Sequence, residues 1–396
     1  MLDNAIARLK QLTFFDPDWY KHVNSDIGLH NPYAHAINFG AREGRIIFNS
    51  QEISRLLSCI PVIAPCDIEL TPSPASVDIY VSSMGNVFMD QIADDILRTF
   101  NEHGIMASKK TDADPNKENS VTKIVVAPHE FFLLGDGPQF FNSSFMKNCF
   151  VYNTEQLQTR WFASALPHIL SSAGIIDICY QSARLLSQSG IPTIHWEPSP
   201  RQSLSYSETI KDHPLSKSIP QPLRGTRWEE RTFDLSFFGS DSPRREKLFS
   251  RLSPQMAEWE TFIYYRKRPT PLSENADRTL ADLASYVAGM SKIYLNVHRD
   301  VLPYFEWHRI VRQGIQSGAV VVTDNCLSHP LYKPGVHFIE TNTRYIASTI
   351  EWALNDPQGI QCCNAILNTN NLLMNNVIHH RNNANVLFNF LGRTTR

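Results

Sequence analysis

The chain has 396 residues, of which 42% are hydrophobic and 19% charged, and its formal net charge is −2. This composition is that of a globular protein, and the length exceeds what one core usually serves, so we expect two large domains and an appendage. A nearly neutral chain argues against a surface that binds nucleic acid or anionic membrane throughout. A local basic patch stays open.

The sequence predicts a soluble cytoplasmic protein, with peripheral attachment to a membrane left open. Residues 1–13 lack the apolar run of a signal peptide, and no stretch approaches the roughly 18 consecutive apolar residues of a membrane span. The seven cysteines are scattered, without a CxxC pair or a Cys/His cluster at zinc spacing. We therefore expect free thiols in a reducing compartment.

The first part of the chain divides into three predicted regions. Residues 1–60 read as a small, aromatic-rich helical module, and residues 61–76 as a linker, because Pro and Ser recur there without a period. Over residues 77–198, short apolar runs that predict strands alternate with amphipathic helical patterns, which indicates a Rossmann-like domain with a parallel sheet. Within it, the charged stretch 109–120 is predicted to be a solvated loop.

The second part repeats the pattern. Residues 199–231 are rich in proline and are predicted to connect the domains, and residues 232–361 form a second alternating series. Residues 362–396 are predicted to form helices that pack back on the first domain. The expected fold class is α/β, with two Rossmann-like domains facing each other across a cleft, where the carboxyl ends of parallel strands bind ligands.

The strongest local signal for ligand binding follows the first strand of the second series. This strand ends in Gly239 and Ser240, and Pro243 opens a helix that carries Arg244 and Arg245. A glycine lets a phosphate approach the backbone, a helix N-terminus offers free N–H groups, and arginine binds phosphate oxygens. The alternative is a tight turn with solvated arginines. Neither GxGxxG nor GxxxxGK[ST] occurs, so no dinucleotide fingerprint or P-loop is predicted.

A second signal lies further along the same domain. Asn296 and His298 come at the end of a predicted strand, and Glu306 and Arg309 share one face of the next helix. His298 could donate to a phosphate, and Glu306 could accept from sugar or ribose hydroxyls. The alternative for Glu306 and Arg309 is an ordinary surface ion pair.

The chain resembles glycosyltransferases of the GT-B class on these residues. The motifs FFGS…RR, LNVH, FEWHRI and AVVVTD are similar to the donor domain of the CgeB-like, glycosyl transferase group 1 type. In the first domain, VYNTEQL and IIDICYQSARLLSQSGIP are similar to segments of the same relatives. The module's FFDPDWY, NPYAH and FGAREGR resemble a module often attached to bacterial polysaccharide glycosyltransferases.

The resemblance implies an enzyme of class EC 2.4, a hexosyl- or pentosyltransferase. It would move a sugar from a nucleotide-sugar donor to an acceptor hydroxyl, with a glycan in polysaccharide biosynthesis as the expected acceptor. No cofactor beyond the nucleotide-sugar co-substrate is expected, and nucleic acid is an unlikely partner. The donor-binding residues would be Gly239, Ser240, Arg244, Arg245, Asn296, His298, Glu306 and Arg309.

The first domain would then hold the acceptor. Gly85 and Asn86, at the first strand-to-helix turn, would let the acceptor approach the backbone. If the enzyme inverts, the catalytic base would be His129, Glu130 or Glu155, each just past a predicted strand. His129 is the first choice, because the unperturbed pKa of histidine lies near neutral pH.

Two departures from the family pattern limit what the resemblance implies. Retaining members often place a second glutamate eight residues after the first, but that position is Gly314 here, so the stereochemical outcome stays open. The Asp-x-Asp pattern of metal-dependent glycosyltransferases occurs only at 16–18 and 112–114, neither after a core strand. No metal requirement is therefore predicted.

Three alternatives to a glycan transferase remain. A nucleotide-sugar epimerase of the same fold would need no acceptor, the case for a phage-type DNA glycosyltransferase is weakened by the overall charge, and a sugar-binding protein would have no chemistry.

One further expectation concerns the helix that carries Trp161, Phe162, Leu166 and Ile169. We expect all four side chains to face the core, with an acceptor-stacking platform as the alternative.

Overall fold

The computed structural model describes residues 1–64, 74–114, 121–200, 216, 227–267 and 275–394, without the side chains of 275–278, 393 and 394. Much of the predicted linker 61–76 and connector 199–231 lies outside the described residues, as does Cys66. The other six cysteines are free thiols. Packing divides the chain into two compact units, Met1–Pro198 with His380–Arg396 (unit 1) and Ser199–His379 (unit 2).

Helices open the chain and flank both sheets. The α-helices are α1 Leu2–Gln11, α2 Pro17–Val23, α3 Pro32–His35, α4 Ser50–Cys59, α5 Val87–Glu102, α6 Pro128–Phe131, α7 Ser143–Met146, α8 Arg160–Ser171, α9 Tyr180–Gln188, α10 Pro243–Met256, α11 Asn275–Gly289, α12 Ile346–Asn355, α13 Pro357–Met374 and α14 Val377–Thr394. Among the described helices, none is both long and apolar enough to cross a bilayer.

Each unit is built on one sheet whose described strand pairs all run parallel. The strands are β1 Ser76–Val81, β2 Met106–Thr111, β3 Thr122–Val126, β4 Cys149–Asn153, β5 Gly174–Asp177, β6 Thr193–His195, β7 Phe233–Ser240, β8 Thr261–Arg266, β9 Ser291–Asn296, β10 Val320–Thr323 and β11 Ile339–Glu340. Their order is β2-β1-β3-β4-β5-β6 in unit 1 and β11-β10-β9-β7-β8 in unit 2. The predicted α/β class with two Rossmann-like sheets is confirmed; the domain boundaries stay predictions.

The central strands have nearly continuous apolar sequences because both faces of each sheet are covered. Every residue of β3, β4 and β5 is buried, and so is every residue of β10. Parallel sheets with helices on both sides produce this pattern, in contrast to the alternation of a half-exposed sheet. Their carboxyl ends therefore bring together residues that are distant in the sequence.

The loop predicted over 109–120 is wrong in its first residues, which belong to the edge strand β2. Lys109 forms ion pairs with Asp90 (2.8 Å) and Asp94 (2.5 Å) of α5. Lys110 pairs with Asp78 of the neighbouring β1 at 2.5 Å. Charged side chains are common on edge strands because they protect the unpaired backbone. The two lysines are therefore a feature of an edge strand and not of a solvated loop.

The helix predicted to carry Glu306 and Arg309 is a π-helix over His308–Ile315, in which each backbone N–H bonds to a carbonyl one residue further back than in an α-helix. Gln316 N–H, for example, donates to Val311 O at 2.8 Å. A β-carbon on Gly314 would collide with the Val321 side chain of β10, so only glycine lets this helix pack so close to the sheet. π-helical turns recur at functional sites.

The C-terminal part of α14 belongs to unit 1. The Phe388 and Phe390 rings lie 5.1 Å and 5.6 Å from Phe100 and Phe150. The backbone carbonyl of Asn383 accepts from Trp196 Nε1, and the side-chain amide of Asn383 donates to Glu197 O. Asn383 thus joins α14 to the residues that follow β6.

Candidate functional site

In unit 1 the ends of three adjacent strands bring together the residues predicted for the acceptor and the base. Gly85 and Asn86 follow β1, His129 and Glu130 begin α6 after β3, and Glu155 follows β4. Ala127 stands before α6 with φ +52°, the only non-glycine residue with positive φ in the described part of the chain. Such a conformation costs about 1–2 kcal/mol and is concentrated at functional sites.

The polar side chains of this cluster lie within contact distance of one another. His129 Nε2 is 3.6 Å from Glu155 Oε1 and 3.9 Å from Glu130 Oε1. The Asn86 N–H donates to Glu130 Oε2 at 2.8 Å, and Thr159 Oγ1 lies 3.3 Å from Glu155 Oε2. We call His129, Glu130 and Glu155 the carboxylate–histidine cluster.

Burial moves the pKa values of the cluster in opposite directions. It lowers the pKa of His129 to about 4 and raises the pKa of Glu130 and of Glu155 to about 7, because a charged form loses hydration. His129 is therefore neutral and weakly basic at pH 7. The ground for choosing it as the base, an ordinary pKa near neutral, does not hold. The two carboxylates titrate where a general base should.

Gly85 fits against Glu130 only because it lacks a side chain. A β-carbon at Gly85 would lie 2.7 Å from Glu130 Oε2. We expect Gly85→Ala to displace the carboxylate from the Asn86 N–H, lowering turnover at least tenfold and stability by about 1–2 kcal/mol, as overpacking does. Steady-state kinetics and thermal unfolding measure the two effects.

Gly104→Ala is the control for this variant. Gly104 has φ +70° and no atom within 4 Å of an added β-carbon, so alanine costs backbone strain without touching the cluster. We expect it to lower stability and leave turnover unchanged. Equal losses of turnover in both variants would show that the Gly85 effect is one of stability alone.

In unit 2 the ends of β9 and β10 and the start of α10 form a charged network. Arg244 donates to Asp324 and, at 2.8 Å, to His298 O. His298 Nδ1 lies 2.7 Å from Asp324 Oδ1, which also accepts the His298 N–H at 3.1 Å. Burial opposes ionisation of Asp324, but the bond to His298 and the charges of His298 and Arg244 prevail and lower its pKa.

Arg245 has a different role from its neighbour. Its side chain is buried, and it donates to Val297 O and to Ser240 O, each at 2.8 Å. Burial lowers its pKa to about 10. Arg245 thus joins the ends of β7 and β9, and its predicted contact with a donor stays a prediction.

Glu306 and Arg309 are paired within the fold and do not form the exposed ion pair considered as an alternative. Their Oε1 and Nε atoms are 2.8 Å apart, with only 18% and 14% of the two side chains exposed. Arg309 also donates to Phe238 O. A β-carbon on Gly239 would lie 3.0 Å from the Arg309 guanidinium, so this glycine makes room for Arg309.

Three polar atoms at this edge lack a hydrogen-bond partner among the described residues. They are Asn296 Oδ1, His298 Nε2 and Glu306 Oε2. Asn296 is bonded through its amide to Thr323 Oγ1 at 3.0 Å, and both Asn296 and His298 are almost fully buried. Buried polar atoms without partners are costly, and this makes the three atoms candidates for contact with a ligand.

Asp324 was missed by the sequence analysis, although it ends the quoted AVVVTD motif. The available signal was topological: β9 and β10 are neighbours, so the residue after β10 lies beside the residues after β9.

The prediction that Trp161 faces the core was also wrong. It is 57% exposed, whereas Phe162, Leu166 and Ile169 are buried as predicted.

Comparison with known proteins gives similarity of structure only. No protein-family model matches the sequence, and no curated protein matches it. HepE from Anabaena, solved with UDP-glucose, is 11% identical with a TM-score of 0.44, over 81% of this chain and 98% of HepE. An α-glucosyltransferase solved with UDP and a 13-mer DNA is 7% identical with a TM-score of 0.46, over 81% of this chain and all of that one (100%).

A third solved structure is the DNA-modifying enzyme β-glucosyltransferase. It is 12% identical with a TM-score of 0.44, over 80% of this chain and 99% of that enzyme. Identities and TM-scores this low assign no activity to the present chain.

Proposed function

We propose that the protein is a metal-independent glycosyltransferase that moves a sugar from a nucleotide-sugar donor to an acceptor hydroxyl, in polysaccharide biosynthesis. The observation that supports it most is the set of three unpartnered polar atoms on Asn296, His298 and Glu306. A ligand rich in hydroxyls would satisfy all three. Unit 2 is thus the proposed donor-binding unit.

One ring nitrogen of His298 stays available to the donor. Its Nδ1 lies against the Asp324 carboxylate, so Nε2 is the atom left for a ligand. Nε2 accepts from a hydroxyl of the sugar or ribose when the ring is neutral and donates to a phosphate oxygen when the ring is charged. Glu306 Oε2 is an acceptor and suits a hydroxyl.

The diphosphate that leaves the sugar carries developing negative charge, which fixed cations and helix N-termini stabilise. Arg244 stands in the first turn of α10, and 24% of its side chain is exposed. It is the cation that we propose for the diphosphate. Unit 1 would hold the acceptor, with Glu155 as the base, since its side chain is more exposed (21%) than that of Glu130 (11%).

Thermal unfolding with a panel of nucleotide sugars tests donor binding. We expect at least one of them to raise the unfolding temperature of the wild-type protein. Glu306→Gln should lower the affinity for that nucleotide sugar about 10-fold or more, because hydrogen bonds to charged groups contribute about 1.5–3 kcal/mol. The matched control is Glu258→Gln, an exposed residue of the same unit, with affinity unchanged.

Nucleotide release separates the transferase from its alternatives. A transferase releases nucleoside diphosphate faster when a hydroxyl acceptor is added, whereas an epimerase converts the sugar and releases none. A sugar-binding protein without chemistry would be stabilised by the ligand and release nothing. Stabilisation by no nucleotide sugar would contradict the proposal.

A further inference from the structure

We propose that Trp161 is the stacking surface of a carbohydrate acceptor subsite in unit 1, a proposal that rests on the transferase function above. The side chain is on α8, next to Phe162, which is fully buried. Trp161 itself is 57% exposed. A large aromatic side chain at the surface beside a polar cluster is a feature of ligand sites, because it offers an apolar face that a ligand can cover.

The position of Trp161 relates it to the chemistry of the carboxylate–histidine cluster. Its ring centroid lies 6.0 Å from that of His129, with 49° between the two planes. His129 Nε2 is 3.6 Å from Glu155 Oε1. An aromatic face and two carboxylates thus occur at the same edge of the sheet.

A pyranose ring matches this pair of features. Its C–H groups form an apolar face that packs on an indole, and its hydroxyls donate hydrogen bonds to carboxylate oxygens. The subsite would therefore hold the acceptor sugar with a hydroxyl close to Glu155, the proposed base. His129 is buried, and its Nδ1 has no partner among the described residues.

The N-terminal module fixes the helix that carries Trp161. At the C-terminal end of α8, Arg8 donates to Leu170 O (3.1 Å) and Ser172 O (2.6 Å). At its N-terminal end, Arg160 donates to Gly44 O at 3.4 Å. The Phe48 ring packs 6.0 Å from Phe162. We therefore assign the module a positioning role in the acceptor subsite.

The charges at the cluster favour a neutral sugar over a nucleic acid strand. Sites for single strands combine stacking aromatics with cationic grooves. His129, whose ring lies beside Trp161, is instead in contact with two carboxylates, those of Glu130 and Glu155. In their deprotonated form these carboxylates would repel a phosphate backbone, whereas a neutral pyranose carries no charge to repel.

Saturation-transfer NMR with simple glycosides tests the subsite without knowledge of the natural acceptor. The probes are methyl β-glucopyranoside, methyl α-mannopyranoside and methyl α-galactopyranoside, each with the full-length protein. We expect transfer to the ring C–H protons of at least one glycoside, reduced at least fivefold in Trp161→Ala and largely restored in Trp161→Phe. Tyr345→Ala removes another exposed aromatic side chain (50% exposed), in unit 2 and outside the module and the cluster, and should leave the transfer unchanged.

The outcomes separate this proposal from the proposed function. Transfer that is equal in wild type and Trp161→Ala, or absent for every glycoside, overturns the subsite, even where nucleotide sugars stabilise the protein. Salt-sensitive binding of a single-stranded oligonucleotide that Trp161→Ala abolishes overturns the carbohydrate assignment. Stabilisation by no nucleotide sugar contradicts the transferase itself, whatever the glycosides do. Because Trp161 is exposed, the variants should fold, and unchanged unfolding curves check this.

Discussion

Replacing Glu155 by Gln is expected to lower turnover by about 10²–10⁴-fold, the usual contribution of a general base. The substitution keeps the size of the side chain and its contact with Thr159, and removes only the ability to accept a proton. Affinity for the nucleotide sugar should stay unchanged, because the proposed donor residues belong to unit 2. Single-turnover kinetics and donor-induced thermal shifts measure the two quantities.

The pH dependence of the wild-type enzyme provides an independent test. A base acts in its deprotonated form, so kcat/KM should rise with pH through about 7, where burial places the pKa of Glu155. The residual activity of Glu155→Gln should lack this rise. An unchanged pH profile in the variant would exclude Glu155 as the base.

The stability of the wild-type fold should fall over the pH range in which its activity rises. A raised carboxyl pKa stabilises the fold fully below the unfolded-state value of 4.5, and this contribution is lost as the pH rises through about 7. Gln does not ionise, so the Glu155→Gln variant does not lose stability in this way as the pH rises. The variant should therefore be more stable than wild type above pH 7, by at most about 3 kcal/mol, since each pKa unit corresponds to about 1.4 kcal/mol.

Glu130→Gln is the matched control. Glu130 has the same raised pKa, but its Oε2 accepts the Asn86 N–H, so its carboxylate also has a structural role. We expect a smaller loss of turnover than in Glu155→Gln and a smaller gain in stability above pH 7, because a neutral amide oxygen accepts the Asn86 N–H more weakly than a carboxylate does. A larger loss in Glu130→Gln would move the role of base to that residue.

The alternating pattern of the sequence was sufficient to predict the two sheets, because buried parallel strands are almost wholly apolar. VVVT and CFVYN leave no other interpretation once helical patterns flank them. Asn86, Glu130 and Glu155 were each predicted just past a strand, but their contact with one another was not predicted. Which strands are neighbours is set by packing, and so the Asp324 network was missed.

Other misses share one physical cause, which is that local pattern does not show what covers a side chain. Trp161 has the same helical spacing as its buried neighbours, but it lies at the start of α8, where its side chain remains exposed. The pKa values near 4 and 7 in the carboxylate–histidine cluster arise from burial, which a sequence does not display. The close approach of Gly314 to Val321 joins two elements, so it too is set by packing.

Asp324→Ala should have the largest effect on unit 2. The carboxylate is buried and contacts both Arg244 and His298, so its removal leaves the guanidinium and the imidazole without their shared partner. Breaking one side of a buried ion pair costs about 3–5 kcal/mol. We expect unfolding of the variant about 6–20 °C below wild type, at about 2–4 °C per kcal/mol for a unit of this size. Stabilisation by nucleotide sugars should be lost as well, because His298 then loses its orientation.

Asp324→Asn and Asp300→Ala make this test specific. The amide of Asn can still accept one hydrogen bond, so its cost should be smaller, and Asp300 is exposed, so its removal should change neither quantity. The lowered pKa of Asp324 means that its stabilisation is present above the unfolded-state pKa of 3.8 and is lost as the pH falls through the folded-state value. The acid destabilisation of wild type should therefore be weaker in Asp324→Asn. Normal donor binding by Asp324→Ala would show that the proposed donor site does not depend on the orientation of His298.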